Sequence, residues 1–103
     1  MPAPERPIVA FFASETCGHS RRMDSVIEHF ARLHRDTVRI AKVVVEERPD
    51  LAARFDVTEA PTILLLDSVT EVARLTGRQT LPMIREALEP LLEAAPTPEA
   101  ALA

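Results

Sequence analysis

The chain has 103 residues, 47% of them hydrophobic, enough for one small domain with a compact core and no need of metal or disulfide support. Its net charge of -4 comes from intermingled acids and bases, so no basic face stands out for nucleic acid and no polybasic run for anionic lipid. One cysteine, Cys17, excludes an internal disulfide, and His19, His29 and His34 offer no pair of ligand-spaced thiolates for zinc, so no metal is expected.

Residues 1–6 form a Pro-rich arm without the basic and apolar regions of a secretory signal, and no apolar run approaches the roughly 18 residues of a membrane span. A cytoplasmic location is the expectation. Ile8 to Ala13 is a short continuous apolar run, the pattern of a strand buried on both faces. A helix follows, with Met23, Val26, Ile27, Phe30 and Leu33 at helical spacing and Ser14 or Thr16 as its cap. On that helix His29 and His34 read as solvated surface. Val38 to Val45 is a second β-branched strand, one helix length later, which suits a parallel crossover.

Pro49 fits the first turn of a short helix carrying Leu51 and Phe55 on one face. After Ala60-Pro61 the apolar run Thr62 to Leu66, a turn at Asp67-Ser68 and the segment Glu71 to Thr76 read as an antiparallel hairpin ended by Gly77. Thr80 caps a last helix bearing Ile84, Ala87, Leu88, Leu91 and Leu92, with Pro90 expected to kink or shorten it. The tail, residues 94–103, is expected to fray. The resulting class is α/β: one domain over residues 7–93, a central mixed four-stranded sheet with helices on both faces.

Four segments, in this order, resemble the thioredoxin family: Phe11-Phe12-Ala13 leading into Cys17-Gly18-His19-Ser20, then Glu46 to Ala52, then Phe55 to Thr62 with Ala60-Pro61, then Thr76-Gly77. The resemblance implies a thioredoxin fold lacking the family's N-terminal strand and helix. It also implies that Cys17 is the attacking cysteine and that Pro61 is a cis-proline facing it. Thr16, Gly18, Ala60, Pro61, Thr76 and Gly77 would line the substrate groove. Three departures from the family pattern stand out. Ser20 replaces the second active-site cysteine, no acid occurs in Ile8 to Ala13, and the segment Ala13 to Cys17 is one residue longer and lacks a tryptophan.

A thiolate is the nucleophile in disulfide exchange, and a free thiol with a pKa of about 8.5 is mostly protonated at neutral pH. At a helix start, Cys17 would meet unpaired N–H groups, with His19 adding charge if cationic and Ser20 donating a hydrogen bond. These three are the catalytic candidates. A serine hydroxyl is scarcely ionised and attacks sulfur poorly, so Ser20 cannot resolve a mixed disulfide. Two functions stay open: a monothiol oxidoreductase acting on protein or small-molecule disulfides, with a low-molecular-weight thiol as co-substrate and no other cofactor, or a non-catalytic adaptor that holds a partner in the proline groove. Without a further strand, Val38 to Val45 is a sheet edge, which either pairs with a second copy or is guarded by Arg39 and Lys42.

Overall fold

The structure, a computed structural model, describes residues 6–94. The arm up to residue 5 and the tail from residue 95 lie outside the described residues. In chain order the elements are β1 (Ile8–Ala13), α1 (Gly18–Leu33), β2 (Arg39–Val44), α2 (Pro49–Arg54), β3 (Thr62–Asp67), β4 (Thr70–Thr76) and α3 (Leu81–Ala94). The sheet order is β2-β1-β3-β4. β1 runs parallel to β2, with Ala13 opposite Val44, and antiparallel to β3; β3 and β4 form the expected hairpin.

The continuous apolar runs of β1 and β3 are explained by helices on both faces of the sheet. Alternate side chains divide between two cores. Val9, Phe11 and Ala13 of β1 and Ile63 and Leu65 of β3 join Met23, Ile27 and Phe30 of α1 and Ile84, Leu88 and Leu92 of α3. Ala10, Phe12, Leu64 and Leu66 point the other way, to Leu51, Phe55 and Val57 around α2. Phe12 meets Phe55 edge to face, with ring centroids 6.2 Å apart.

Several expectations are corrected by the geometry. At about 100° per residue, His34 falls on the same side of the helix as Met23, Ile27 and Phe30, whereas Leu33 falls roughly a quarter turn away. Leu33 is accordingly exposed, and His34 is half-buried against the Phe30 ring with Nε2 2.7 Å from Glu89 Oε2 of α3. His29 is exposed, as expected.

Pro90 does not end α3, which continues to Ala94. Pro90 and Glu86, whose carbonyl loses its donor, both lie on the water side of the helix, so solvent can replace the missing hydrogen bond. Neither Ser14 nor Thr16 caps α1; Cys17 occupies the N-cap and no side chain caps there. Thr80 does act as expected, its Oγ1 accepting from Met83 N–H at 3.3 Å. In β4 the register shifts by one residue against Leu65 and Leu66, which leaves Val72 exposed.

β2 is an edge strand among the described residues. Lys42 on this edge reaches back to α1, its Nζ 2.8 Å from Asp24 Oδ1, while Arg39 is exposed.

Candidate active site

Parallel pairing of β1 and β2 brings both strands to the same end of the sheet, and the loops that leave them are neighbours. Val45 N–H donates to the Ala13 carbonyl at 2.9 Å, so pairing continues one step beyond β2. The chain after β1 then turns through Ser14 to Cys17, closed by Cys17 N–H donating to the Ser14 carbonyl at 3.2 Å. Cys17, with φ −101° and ψ 115°, is the last extended residue before α1. Its side chain therefore sits over the N–H groups of the first turn, of which that of Ser20 also donates to the Cys17 carbonyl at 3.1 Å.

Those groups act on the sulfur. The Ser20 N–H, then the Ser20 hydroxyl, hold the Cys17 thiol below its ordinary pKa; burial opposes them, and the His19 N–H adds a weaker lowering. His19 thus contributes through its backbone, and its side chain is exposed. Ser20 is buried, 1% exposed, and its Oγ also accepts from Ser14 N–H at 3.1 Å. With that lone pair occupied, the hydroxyl proton is free to point to sulfur.

The protonated thiol donates to the Ala60 carbonyl at 3.7 Å. The Ala60–Pro61 peptide is cis, and Ala60 precedes the β3–β4 ladder, which starts at Thr62 and Thr76. Thr62 Oγ1 donates to the Glu59 carbonyl at 2.7 Å and Gly77 N–H donates to the Pro61 carbonyl at 2.8 Å, so both sides of Ala60 are tied down. Gly77 has φ +84°, a conformation that favours glycine. Thr16 is exposed, its N–H 3.3 Å from Ser14 Oγ; Gly18 is the first residue of α1. The structure thus draws Cys17, Ser20, Ala60 and Pro61 together, sets Thr76-Gly77 behind Pro61, and leaves the His19 ring outside. Beside the sulfur a cavity of about 250 Å³ opens between Ser14, Cys17, Val45, Val57, Glu59 and Ala60.

Other polar residues near the site carry no signal of their own in the sequence. Glu46, two residues past β2, accepts from Ser14 Oγ with Oε2 and from Glu15 N–H with Oε1 at 3.1 Å. Parallel register is the signal that could have found it, because it sends the segments after Ala13 and Val44 out side by side. Asp24, one turn of α1 beyond Ser20, lines a depression of about 180 Å³ together with Ser20 and its partner Lys42. An acid therefore does stand close to Ser20, supplied by the helix instead of β1. Among the described residues no cluster of three or more His, Cys, Asp or Glu could hold a metal ion, and no helix is long and apolar enough to cross a membrane.

A cysteine held below its ordinary pKa beside the backbone of Ala60 is a setting suited to thiol–disulfide chemistry. Comparison with known proteins gives the family. The thioredoxin family profile matches residues 2–90. A thioredoxin from Alicyclobacillus acidocaldarius subsp. acidocaldarius is 32% identical over 89 residues, 86% of this chain and 85% of that protein. Thioredoxin C-3 from Corynebacterium nephridii is 36% identical over 73 residues, covering 69% of this chain and 48% of its own length. Among solved structures, a point mutant of a thioredoxin from Halobacterium salinarum superposes with a TM-score of 0.79 at 25% identity, covering 89% of this chain and 80% of that one. The chain belongs to the thioredoxin family, and its four-stranded mixed sheet with three helices is a thioredoxin fold.

Proposed function

We propose that this protein is a monothiol member of the family, in which Cys17 exchanges disulfides and a thiol from another molecule makes the second step. The observation that carries this reading is the Cys17 sulfur itself. It is favoured as thiolate by Ser20 and lies 3.7 Å from the Ala60 carbonyl, within reach of any chain docked there.

In the first step the Cys17 thiolate attacks one sulfur of a substrate disulfide. The new Cys17–substrate disulfide forms, the old S–S bond breaks, and the displaced thiolate takes a proton from water. In the second step an external thiolate, from a low-molecular-weight thiol or the substrate, attacks the mixed disulfide and releases Cys17 as thiolate. Electrons balance without any net change in the protein. Ser20 takes no part in resolution, since its hydroxyl is scarcely ionised at neutral pH and is engaged by Ser14 N–H.

Loss of the thiol proton on ionisation also frees the Ala60 carbonyl. An extended substrate segment can then pair with that backbone as an added strand, flanked by Thr16 and by Thr76-Gly77. The cavity beside Cys17 offers room for a side chain of that segment or for the small thiol.

Intact-mass measurement tests the scheme. The protein exposed to oxidised glutathione is expected to gain one glutathione, lose it on addition of reduced glutathione, and gain none as Cys17→Ser. A Cys17 that stays unmodified, or that forms an adduct no thiol removes, would overturn exchange and favour the adaptor.

A further inference from the structure

We propose that Glu46 is a positioning residue for Cys17, clamping the loop after β1 so that Ser14 holds the Ser20 hydroxyl toward the sulfur. Its carboxylate bonds to Ser14 and Glu15 and not to the Cys17 sulfur. Its role rests on three consecutive contacts.

The first contact is the carboxylate itself. Its two oxygens take the Ser14 hydroxyl and the Glu15 N–H, two donors on adjacent residues of the loop between β1 and α1. A carboxylate gripping both fixes the position of the Ser14–Glu15 peptide as well as a side chain. The clamp closes over 31 and 32 residues of sequence, so it ties the end of β2 to the catalytic loop.

The second contact is Ser14. Once its hydroxyl proton is given to Glu46, Ser14 Oγ is left as an acceptor for Thr16 N–H at 3.3 Å and lies 3.0 Å from Thr16 Oγ1. The Ser14 carbonyl meanwhile receives Cys17 N–H at 3.2 Å. Ser14 therefore organises both Thr16 and Cys17.

The third contact is Ser14 N–H to Ser20 Oγ at 3.1 Å. Ser20 Oγ accepts this hydrogen bond, which leaves its own proton free to turn toward Cys17, the arrangement that lowers the thiol pKa. The hydroxyl has a full rotation available about its C–O bond, and the Ser14 N–H is what selects one orientation. Glu15 and Thr16 of this loop are exposed, so an anchor from another strand limits its motion. Glu46 stays ionised through the working range because the Ser14 hydroxyl and the Glu15 N–H hold its pKa below the ordinary carboxylate value.

The test reads the Cys17 pKa by thiolate absorbance and the rate of iodoacetamide alkylation across pH, which depend on the thiolate and not on any exchange partner. Glu46→Ala is expected to raise the Cys17 pKa and slow alkylation at neutral pH about threefold to tenfold, a shift of roughly half a unit to one unit. Glu46→Gln, which keeps an acceptor for Glu15 N–H and can pair with Ser14 Oγ, should restore most of the loss. Ser14→Ala should slow alkylation to a similar extent, and the double variant Ser14→Ala, Glu46→Ala should add little, as expected for one relay.

The sign decides the outcome. A carboxylate acting only as a nearby negative charge would, on removal, lower the Cys17 pKa, and a merely structural Glu46 would lower thermal stability with the pKa unmoved. Either result, or additive effects in the double variant, overturns the proposal. Failure of the exchange reading is seen separately, as absence of the glutathione adduct in the unaltered protein.

Discussion

Ser20→Ala isolates the part of the site that a second thiol would otherwise occupy. Two groups of Ser20 act on the Cys17 sulfur, the N–H more strongly than the hydroxyl, and alanine removes only the hydroxyl. The Cys17 pKa should therefore rise part of the way toward the ordinary thiol value and stop short of it. The thiolate present at neutral pH should fall by less than tenfold, about threefold for half a unit. The same substitution leaves Ser14 N–H without its buried acceptor, at a cost of about 1–3 kcal/mol. For a domain of this size that is a fall in Tm of roughly 4–8 °C per kcal/mol. Ultraviolet titration of the thiolate and a thermal melt by circular dichroism read the two effects on one sample. A Cys17 pKa unmoved in Ser20→Ala would show that the hydroxyl does not reach the sulfur. A pKa that climbs all the way to that of free cysteine would show that the backbone N–H does not hold it, and either result would refute the account of the site.

Phe30→Ala should cost about 3–5 kcal/mol in urea denaturation, since Phe30 is fully buried between α1, the sheet and α3; a loss below about 1 kcal/mol would contradict the core described. Gly77→Ala should destabilise by roughly 1–2 kcal/mol from backbone conformation alone, because φ is +84° and an added Cβ would meet nothing within 4 Å; an unchanged melting temperature would refute it. The tie between α1 and α3 is sensitive to acid. Arg85 and, less strongly, His34 lower the Glu89 pKa, so its stabilisation is fully present above the ordinary glutamate pKa and is lost as pH falls through the lowered value. Stability measured by urea titration should therefore be greater in the unaltered protein than in Glu89→Gln near pH 6, a gap that closes in acid; a gap independent of pH would exclude the ionised pair as its source.

What can be read from residues alone follows from periodicity and from covalent constraint. β1 is apolar throughout and β3 is apolar from Ile63 to Leu66 because both faces of the sheet are covered, and that pattern is visible in the residues without coordinates. Pro49, Gly77 and Thr80 announce a helix start, a strand end and a cap through local backbone chemistry, and each occupies that place. The misses have a common cause. His34 reads as solvated because it is polar, yet the helical rotation that buries Phe30 carries it inward, where Glu89 from a helix 55 residues away supplies its partner. Ser14 looks like a cap by its type, but a carboxylate at the end of another strand takes its proton first. Competition between local and long-range partners for one hydroxyl is invisible until the strands are in register.

The same competition shapes the active site. In a dithiol site the residue three beyond the attacking cysteine must be free to turn on the mixed disulfide, and a proton acceptor must be at hand to release it. Here that position is a serine, 1% exposed, receiving a hydrogen bond from Ser14 N–H, and its N–H and hydroxyl hold the Cys17 thiol below its ordinary pKa. Asp24, the acid nearest along α1, is engaged by Lys42 at the edge of the sheet. The Ser20 N–H and hydroxyl thus favour the Cys17 thiolate, and no group of this set is placed to displace it from a mixed disulfide. On the proposed exchange reading, such a site would form the mixed disulfide and leave its lifetime to the concentration and reactivity of an outside thiol. Addition of reduced glutathione should accordingly accelerate release in proportion to its thiolate concentration, with no residual rate extrapolated to zero thiol. A first-order release that persists without added thiol would mean that some group in the chain does resolve the disulfide, contrary to the geometry of Ser20.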